Sequence, residues 1–521
     1  MAATYSLIAW GGRTGKTVTL TIASPCVVTC NSHGLKSGTG VRFKANGDTL
    51  PTGLTAGVTY YSKWVTSNTF NLYTDAGLTS IVGTSGSQSG THILRNLLVA
   101  DPATALAPYG LTDLSRWGAS GSERIYDGLT SWNTARAGGY SAFNEEICEL
   151  GMAMYEYIGS GITISFGAPK TTVHPYINGK ITPAFHGGVF GGGFCIQHGY
   201  AYAAIQLNFY NQTLDGFSIE VGSYSNGAGV LLNKVNTACK RLMMRCTVAS
   251  PTGIGIYLSQ TNTSAYSNVI AGFGYGIQSG RYTMNMRVYN NTVVKNASYG
   301  FYIQYGATEI YGYWYNNIAL GNGTNWFTEY SSIEGASKNF GAAGDANPPW
   351  AVWGGTAGAV ATTDFVNWGG STPATTDNYR PALLTSPQVS AGVVLYDSLT
   401  TDVAGNDAPA YNNGGAEYLD VGAYEFDLGY GPHPASTTVT FTGVNSGTEI
   451  RVYDKVTGTE LAGIESCATD QALTWVLSGN DTTIRLVNTA YKIKEFDYTP
   501  VVGNQSLPIQ QEPDKWYSNP I

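Results

Sequence analysis

Apolar and polar positions alternate in short bursts along the middle of the chain, and from about Gly161 to Phe327 the bursts keep a beat. Gly229-Val230-Leu231-Leu232, Gly255-Ile256-Tyr257-Leu258, Gly276-Ile277-Gln278-Ser279 and Gly300-Phe301-Tyr302-Ile303 follow one another at offsets of 26, 21 and 24 residues. A second series, Cys246-Thr247-Val248, Asn268-Val269-Ile270, Asn291-Thr292-Val293 and Asn317-Ile318-Ala319, runs at 22, 23 and 26. Two interleaved series of short strands sharing one period predict a parallel β-helix with one coil per repeat. Asparagine ahead of the apolar pair suits a corner, because it tolerates left-handed backbone and its side chains can stack in ladders.

The pattern changes on both sides of that coil. Over residues 1–97, Thr17–Ile22 alternates as a half-buried strand does, and Val41–Phe43, Thr59–Trp64 and Thr69–Tyr73 come after it. This predicts a small β-module for attachment. Residues 98–160 carry helical spacing at Leu129, Trp132, Ala135 and Arg136, and again at Ile147, Leu150, Met154 and Ile158. A partly helical lead-in there would cover the open sheet edge of the first rung. The coil is assigned to residues 161–430, its last part (337 to about 415) a stretch of Gly, Ala, Thr, Pro and Asn wrapping the final rungs. Residues 431–521 return to strands at Thr437–Phe441, Glu449–Tyr453, Leu473–Leu477 and Thr483–Val487, and predict a β-sandwich.

Composition supports a stiff, β-rich protein. Only 12% of the 521 residues are charged, against a usual ~25%, while 43% are hydrophobic and Gly (66) and Tyr (36) are abundant. A net charge of -8 with no long run of Lys and Arg argues against nucleic acid as a partner. No window approaches the ~18 apolar residues of a membrane helix, and Met1 to Trp10 lacks the basic start of a secretion signal. A soluble protein made in the cytoplasm is expected. The seven cysteines are scattered, and Cys26 and Cys30 have no matching Cys/His pair, so buried thiols are expected rather than a metal site. No cofactor is implied.

Gly11-Gly12-Arg13-Thr14-Gly15-Lys16-Thr17 imitates a phosphate loop, but Trp10 stands where the first glycine belongs and a strand comes next instead of a helix. It is read as a glycine-rich turn. Glycoside hydrolysis needs two carboxylates ~5 to 9.5 Å apart, and between Tyr157 and Thr308 the chain offers only Asp215 and Glu220. On one extended strand they would stand about 16 Å apart on opposite faces, unless Gly216 bends the chain. Glu309, Glu329, Glu334 and Asp345 supply acids from loops. Arg241, Arg245, Arg281, Arg287, His174, His186 and His198 are the groups a polysaccharide lyase could draw on; in sequence they look like isolated polar side chains outside a coil. The most distinctive surface candidate is aromatic: Tyr299, Tyr302, Tyr305, Tyr311, Tyr313, Trp314 and Tyr315, suited to sugar stacking or to a subunit interface.

Several segments carry a resemblance. The stretch from Ser32-His33-Gly34-Leu35 through Leu54-Thr55-Ala56-Gly57 to Asn68-Thr69-Phe70-Asn71-Leu72 resembles a β-module of bacteriophage tail-fibre and other virion proteins. Tyr126-Asp127-Gly128-Leu129-Thr130-Ser131-Trp132 and Asp420-Val421-Gly422-Ala423-Tyr424-Glu425-Phe426 resemble the opening and closing segments of right-handed β-helix proteins of the pectate-lyase-like superfamily. Phe441-Thr442-Gly443 to Val452-Tyr453-Asp454 and Asn504-Gln505-Ser506-Leu507-Pro508 look like a C-terminal module of phage virion proteins. The resemblance implies an all-β fold, a right-handed parallel β-helix flanked by the β-module and the β-sandwich. It further implies a virion structural protein: a homotrimeric spike, fibre or capsid decoration, partnered by its own copies, by other tail or capsid proteins and by a host surface glycan. The alternative is a tailspike depolymerase, a glycoside hydrolase or polysaccharide lyase with Asp215 and Glu220 as its candidate acids. A bacterial surface adhesin is a third reading, opposed by the missing signal.

Overall fold

The computed structural model describes residues 3–137, 145–165, 168–199, 202–222, 228–249, 251–280, 283–304, 312–329, 335–345, 359–382, 386–388, 402–404, 410–411, 417–418, 422–424, 436–442, 448–455, 460–464, 471–476, 482–488, 491–498 and 503–508. Its contacts divide the chain into two units, 1–409 with 418–425, and 410–417 with 426–521.

The first unit is dominated by three long parallel sheets that the chain visits in rotation. Glu145–Leu150, Met154–Ile158 and Ile162–Ile164 follow one another on the first, second and third faces, and Thr171–His174, Phe194–His198 and Ile205–Leu207 lie one coil further on. The rotation continues to Gly312–Tyr315, Ile318–Leu320 and Thr324–Thr328. This all-β arrangement of parallel ladders is consistent with a β-helix. Each face turns every second residue inward, which is why its strands are short apolar bursts. Down the first face the inward row runs Cys148, Val173, Leu214, Cys239, Ala265, Val288 and Trp314. Down the third it runs Ile205, Val230, Ile256, Ile277, Phe301 and Trp326, with Phe301 stacked on Trp326 at 4.4 Å.

The corner between first and second faces repeats a two-residue device. Gly216, Arg241, Ser267, Asn290, Asn316 and Lys338 are all left-handed, with φ between 49° and 74°. The residue after each, Phe217, Leu242, Asn268, Asn291, Asn317 and Asn339, is buried. The ladder expected at Asn268, Asn291 and Asn317 is present and extends to Asn339, while the left-handed backbone falls on the residue before each of them. Asn268 Nδ2 donates to Asn291 Oδ1, Asn291 Nδ2 to Asn317 Oδ1, and Asn317 Nδ2 to Asn339 Oδ1, at 2.9 to 3.0 Å.

Two expectations need correction. The helical spacing of Ile147, Leu150, Met154 and Ile158 is a coincidence across a turn: these residues lie on Glu145–Leu150 and Met154–Ile158, successive strands of the first and second faces. Pairing between distant segments outweighs local periodicity here. The second concerns Ala3–Ile8, which pairs residue for residue with Glu145–Leu150 and so completes the coil's first sheet rather than starting a separate module. After that strand the chain forms a closed six-stranded antiparallel barrel in the order Lys16–Leu20, Val27–Thr29, Thr69–Tyr73, Thr59–Thr66, Gly40–Phe43, His92–Asn96. The barrel meets the coil at Gly34, whose carbonyl accepts from Tyr155 N at 2.7 Å. A Cβ on Gly34 would lie 2.0 Å from Tyr155 O, so only glycine permits that approach.

The helical spacing at Leu129 and Trp132 does yield a helix, Leu129–Ala137. Its first amides donate to the Glu156 carboxylate (Leu129 N at 2.6 Å and Thr130 N at 2.8 Å), a capping group supplied by the coil. Asp127, in the same opening segment, accepts from Gly11 N at 2.6 Å and pairs with Lys16 at 2.9 Å. The lysine of the phosphate-loop look-alike is thus committed to a carboxylate. Two buried acids of the first strand anchor the lead-in: Glu146 pairs with Arg136, and Glu149 accepts from Arg116 and, at 2.8 Å, from Trp117 Nε1.

In the second unit Ser436–Thr442 lies between Gln471–Val476, antiparallel, and Gly503–Pro508, parallel. A four-stranded antiparallel sheet runs Glu460–Ile464, Glu449–Asp454, Thr482–Asn488, Tyr491–Tyr498. Ile450, Val452, Ile484 and Leu486 are buried.

Candidate functional site

The outward side of the second face is built from two rows of side chains, and its character changes along the coil. Tyr157, Gln197, Glu220 and Arg245 stand in register on the first four rungs of one row. In later rungs the same row becomes Ala271, Val294 and Leu320. The apolar half is roofed by Phe340, Val360, Phe365, Tyr379, Ala423 and Tyr424, which pack against it. This is where the closing motif sits: Ala423 N donates to Thr292 Oγ1 at 2.9 Å and Tyr424 Oη to Gly188 O at 3.0 Å. A buried ion pair fixes the roof, Lys295 Nζ to Asp377 Oδ2 at 2.6 Å, and Tyr379 Oη donates to the same oxygen at 2.8 Å.

The polar half stays open as a cleft of about 500 Å³. Tyr157, Gln197, His198, Glu220, Arg245 and Thr247 line it, and Gly159, Gly199 and Gly222 succeed three of the strands on its floor. Glu220 is held from both sides: Gln197 Nε2 donates to Oε2 at 3.0 Å, and Arg245 Nη2 to Oε1. Gly191 brings its loop within a methyl's reach of the same carboxylate, where a Cβ would lie 3.0 Å from Oε1. Among the described residues Arg245 Nε is buried without a hydrogen-bond partner, and so is Nδ1 of His198, which lies in the inward row with Ile158, Val221 and Cys246. The Nε2 of His198 is taken by Tyr202 O at 2.8 Å.

Asp215 and Glu220 do not form a catalytic pair. The single strand expected across them is broken at left-handed Gly216, so Asp215 ends a first-face strand and Glu220 sits on the second face. Asp215 is buried and bound by Arg241, with Lys240 at 3.4 Å. Burial opposes its charge, but Arg241 and Lys240 outweigh burial and hold the carboxyl below its usual value. The loop acids are also committed elsewhere: Glu329 accepts from Tyr302 Oη, and Asp345 from Asn325 Nδ2 at 2.9 Å. Glu309, Glu334 and Arg281 lie outside the described residues. Among the described residues no three His, Cys, Asp or Glu side chains converge as metal ligands, and the six described cysteines are buried thiols.

The seven aromatic candidates separate. Tyr299 and Tyr302 share the outside of the third face with Tyr275 and Phe327, ring centroids 5.1 to 5.5 Å apart. Burial and the Glu329 carboxylate push the Tyr302 phenol upward, so it remains a donor. Tyr313 and Tyr315 belong to the first face, where Tyr266, Tyr289 and Tyr315 stack at 5.4 and 5.7 Å. Trp314 is corrected: it is an inward residue of the core, because its two neighbours take the outward positions. Tyr305 and Tyr311 lie outside the described residues.

No family model matches this chain, and no curated protein does. Among solved structures it is similar to the Gp54 tailspike of Acinetobacter baumannii bacteriophage AP22, solved in complex with A. baumannii capsular saccharide. That similarity has 9% identity and a TM-score of 0.11, and takes in 68% of this chain and 65% of that one, just under two thirds of its length. A likeness this weak carries no argument, so the site rests on its own residues. Among the described residues no helix is long and apolar enough to cross a membrane.

The cleft is the feature that sequence reasoning missed. Its signal is present: Gln197, Glu220 and Arg245 are 23 and 25 residues apart, the beat of the strands themselves. Tyr275, 24 residues before Tyr299, obeys the same rule.

Proposed function

We propose that this chain is a structural protein of a phage virion, a β-helical spike, fibre or capsid decoration that assembles as a homotrimer and presents a rigid, glycan-facing surface. The observation that supports a scaffold over a hydrolase is the fate of the carboxylates. Asp215 is consumed by Arg241 and Lys240, and Glu220 by Arg245 and Gln197, so the cleft holds one acid where glycoside hydrolysis needs two. The virion assignment rests on the resemblance of the segments at Ser32–Leu72, Phe441–Asp454 and Asn504–Pro508 to virion modules. Right-handed winding accords with the near-universal hand of parallel crossovers, and threefold closure would cover the aromatic flanks of the first and third faces.

Light scattering on the full chain tests assembly: a mass three times 55.3 kDa is expected, and a monomer would remove the trimer. Antibody labelling of intact particles tests location. New reducing ends or unsaturated products after incubation with host surface polysaccharide would favour the depolymerase instead.

A further inference from the structure

We propose that His33 is an acid-sensitive latch, which holds the barrel over the open edge of the coil's second face while neutral and releases it when protonated. Each face of the coil begins at an edge that needs cover, because an edge strand leaves a row of backbone groups unpaired. The first is closed by Ile125–Tyr126, paired with Ala3–Ile8. At the third, Asn133 Nδ2 of the helix Leu129–Ala137 donates to Thr163 O at 3.0 Å. The second begins at Met154–Ile158, and there the cover is a loop of the barrel. Gly34 O accepts from Tyr155 N at 2.7 Å, and buried Leu35 forms a bridge with Met154. Lys36 Nζ lies 4.4 Å from the centre of the Tyr155 ring and donates to Gly191 O.

His33 stands at the root of that loop, 1% exposed, with both ring nitrogens in use. Nε2 lies 2.8 Å from Thr66 O and 3.3 Å from Thr69 O, so it carries the proton of the neutral ring. Nδ1 accepts from Leu35 N at 3.0 Å. A second proton can go only to Nδ1, where it would face the Leu35 N–H, donor against donor. Phe70 packs on the ring, centroids 4.9 Å apart, and Trp10 Nε1 donates to His33 O, which hold the residue in place. The conflict therefore falls on Leu35, and through it on the cover of Met154 and Tyr155. The neighbours do not welcome the added charge. Lys16, on the strand Lys16–Leu20, is a like charge already held by Asp127 at 2.9 Å, and Lys36 is a second cation. Cys30 is a buried thiol, and burial pushes the Tyr155 phenol up to about 12, so both stay neutral. Glu156, on the covered strand, is engaged by Leu129 N and Thr130 N. Burial, with Lys16, outweighs the two carbonyls on Nε2 and holds His33 below its usual value. The latch is thus whole above the ordinary histidine range and loosens as pH falls beneath it.

Hydrogen exchange read by mass spectrometry on the full chain, corrected for the intrinsic effect of pH on exchange, tests the latch. Between about pH 7 and about pH 5, protection of peptides spanning 33–38 and 152–158 should fall about tenfold. Peptides spanning 264–271 and 286–294, within the coil, should keep theirs. His33→Asn puts an amide oxygen in reach of Leu35 N and has no proton to gain. Its protection at the two peptides, whatever the level, should no longer change with pH. Glu156 is the other group on the covered strand that takes up a proton in acid, since burial raises its carboxyl. Glu156→Gln should leave the pH response of the two peptides in place. The proposal is overturned if both peptides stay protected in acid, or if they lose protection only together with the coil. It is equally overturned if His33→Asn responds to pH as the unaltered chain does, or if Glu156→Gln abolishes the response.

Discussion

The second face offers the same backbone ladder to two different neighbours. In its later rungs the outward row is Ala271, Val294 and Leu320, and Phe340, Val360, Phe365, Tyr379, Ala423 and Tyr424 pack over it. In its early rungs the row is Tyr157, Gln197, Glu220 and Arg245, and the surface is open. The corner beside it changes too: Phe217 and Leu242 fill the early positions where Asn268, Asn291, Asn317 and Asn339 stack later. Strand pairing makes the two halves alike in geometry; side-chain polarity alone decides which is roofed by protein and which is left for a solute.

The contrast can be broken most severely from the roofed half. Asp377→Ala leaves the buried Lys295 ammonium unpaired beneath Trp368 and Tyr379. A cost of about 3–5 kcal/mol is expected, read by urea denaturation together with new protease cleavage within 360–424. Next comes acid. Burial holds His186 down to about 4, against Arg241 O, which accepts from its Nε2. Its Nδ1 accepts from Gly188 N at 2.8 Å, and Gly188 O in turn receives Tyr424 Oη. Because the folded pKa lies below the usual ~6.5, this histidine's contribution is whole above that value and drains away as pH falls toward 4. The loss is about 3 kcal/mol, compared as urea midpoints at neutral and acid pH. His186→Gln should weaken that dependence, leaving the share of His174, which burial also holds down to about 4, and that of His33.

A smaller loss, about 2 kcal/mol, is expected for Asn291→Ala, which strands Asn268 and Asn317 without their buried partner. Thermal unfolding at neutral pH measures it. The smallest effect belongs to the open half: Tyr157→Ala, at an exposed position, should shift stability by less than ~0.5 kcal/mol. A large loss of stability there would mean that the early rungs are packed as tightly as the late ones, and the contrast would fail.

The coil is legible because its repeat fixes inside and outside together: Val230, Ile256, Ile277 and Phe301 stack as their spacing demands. The corner asparagines are legible for the same reason. Partnership across long distances is not. Nothing local at Ala3–Ile8 shows that its strand mates lie at Glu145–Leu150 and Ile125–Tyr126. Trp314 is misplaced by sequence reading because a run of aromatic residues hides the alternation that buries one and exposes its neighbours. The cleft escapes notice when its members are weighed as acids, bases and arginines one at a time, whereas what unites them is register.

The pairing of Ala3–Ile8 bears on how the chain comes off the ribosome. That strand is synthesised long before its mate, since Glu145 lies 142 positions after its partner Ala3. The barrel's closing strand, His92–Asn96, arrives well before then and seals against Lys16–Leu20. The barrel therefore closes while the strand ahead of it is still a loose end, and loop-closure cost makes the distant pairing the slow event. A shortened chain lacking the barrel and everything before it would lose not an appendage but the second-outermost strand of the coil's longest sheet.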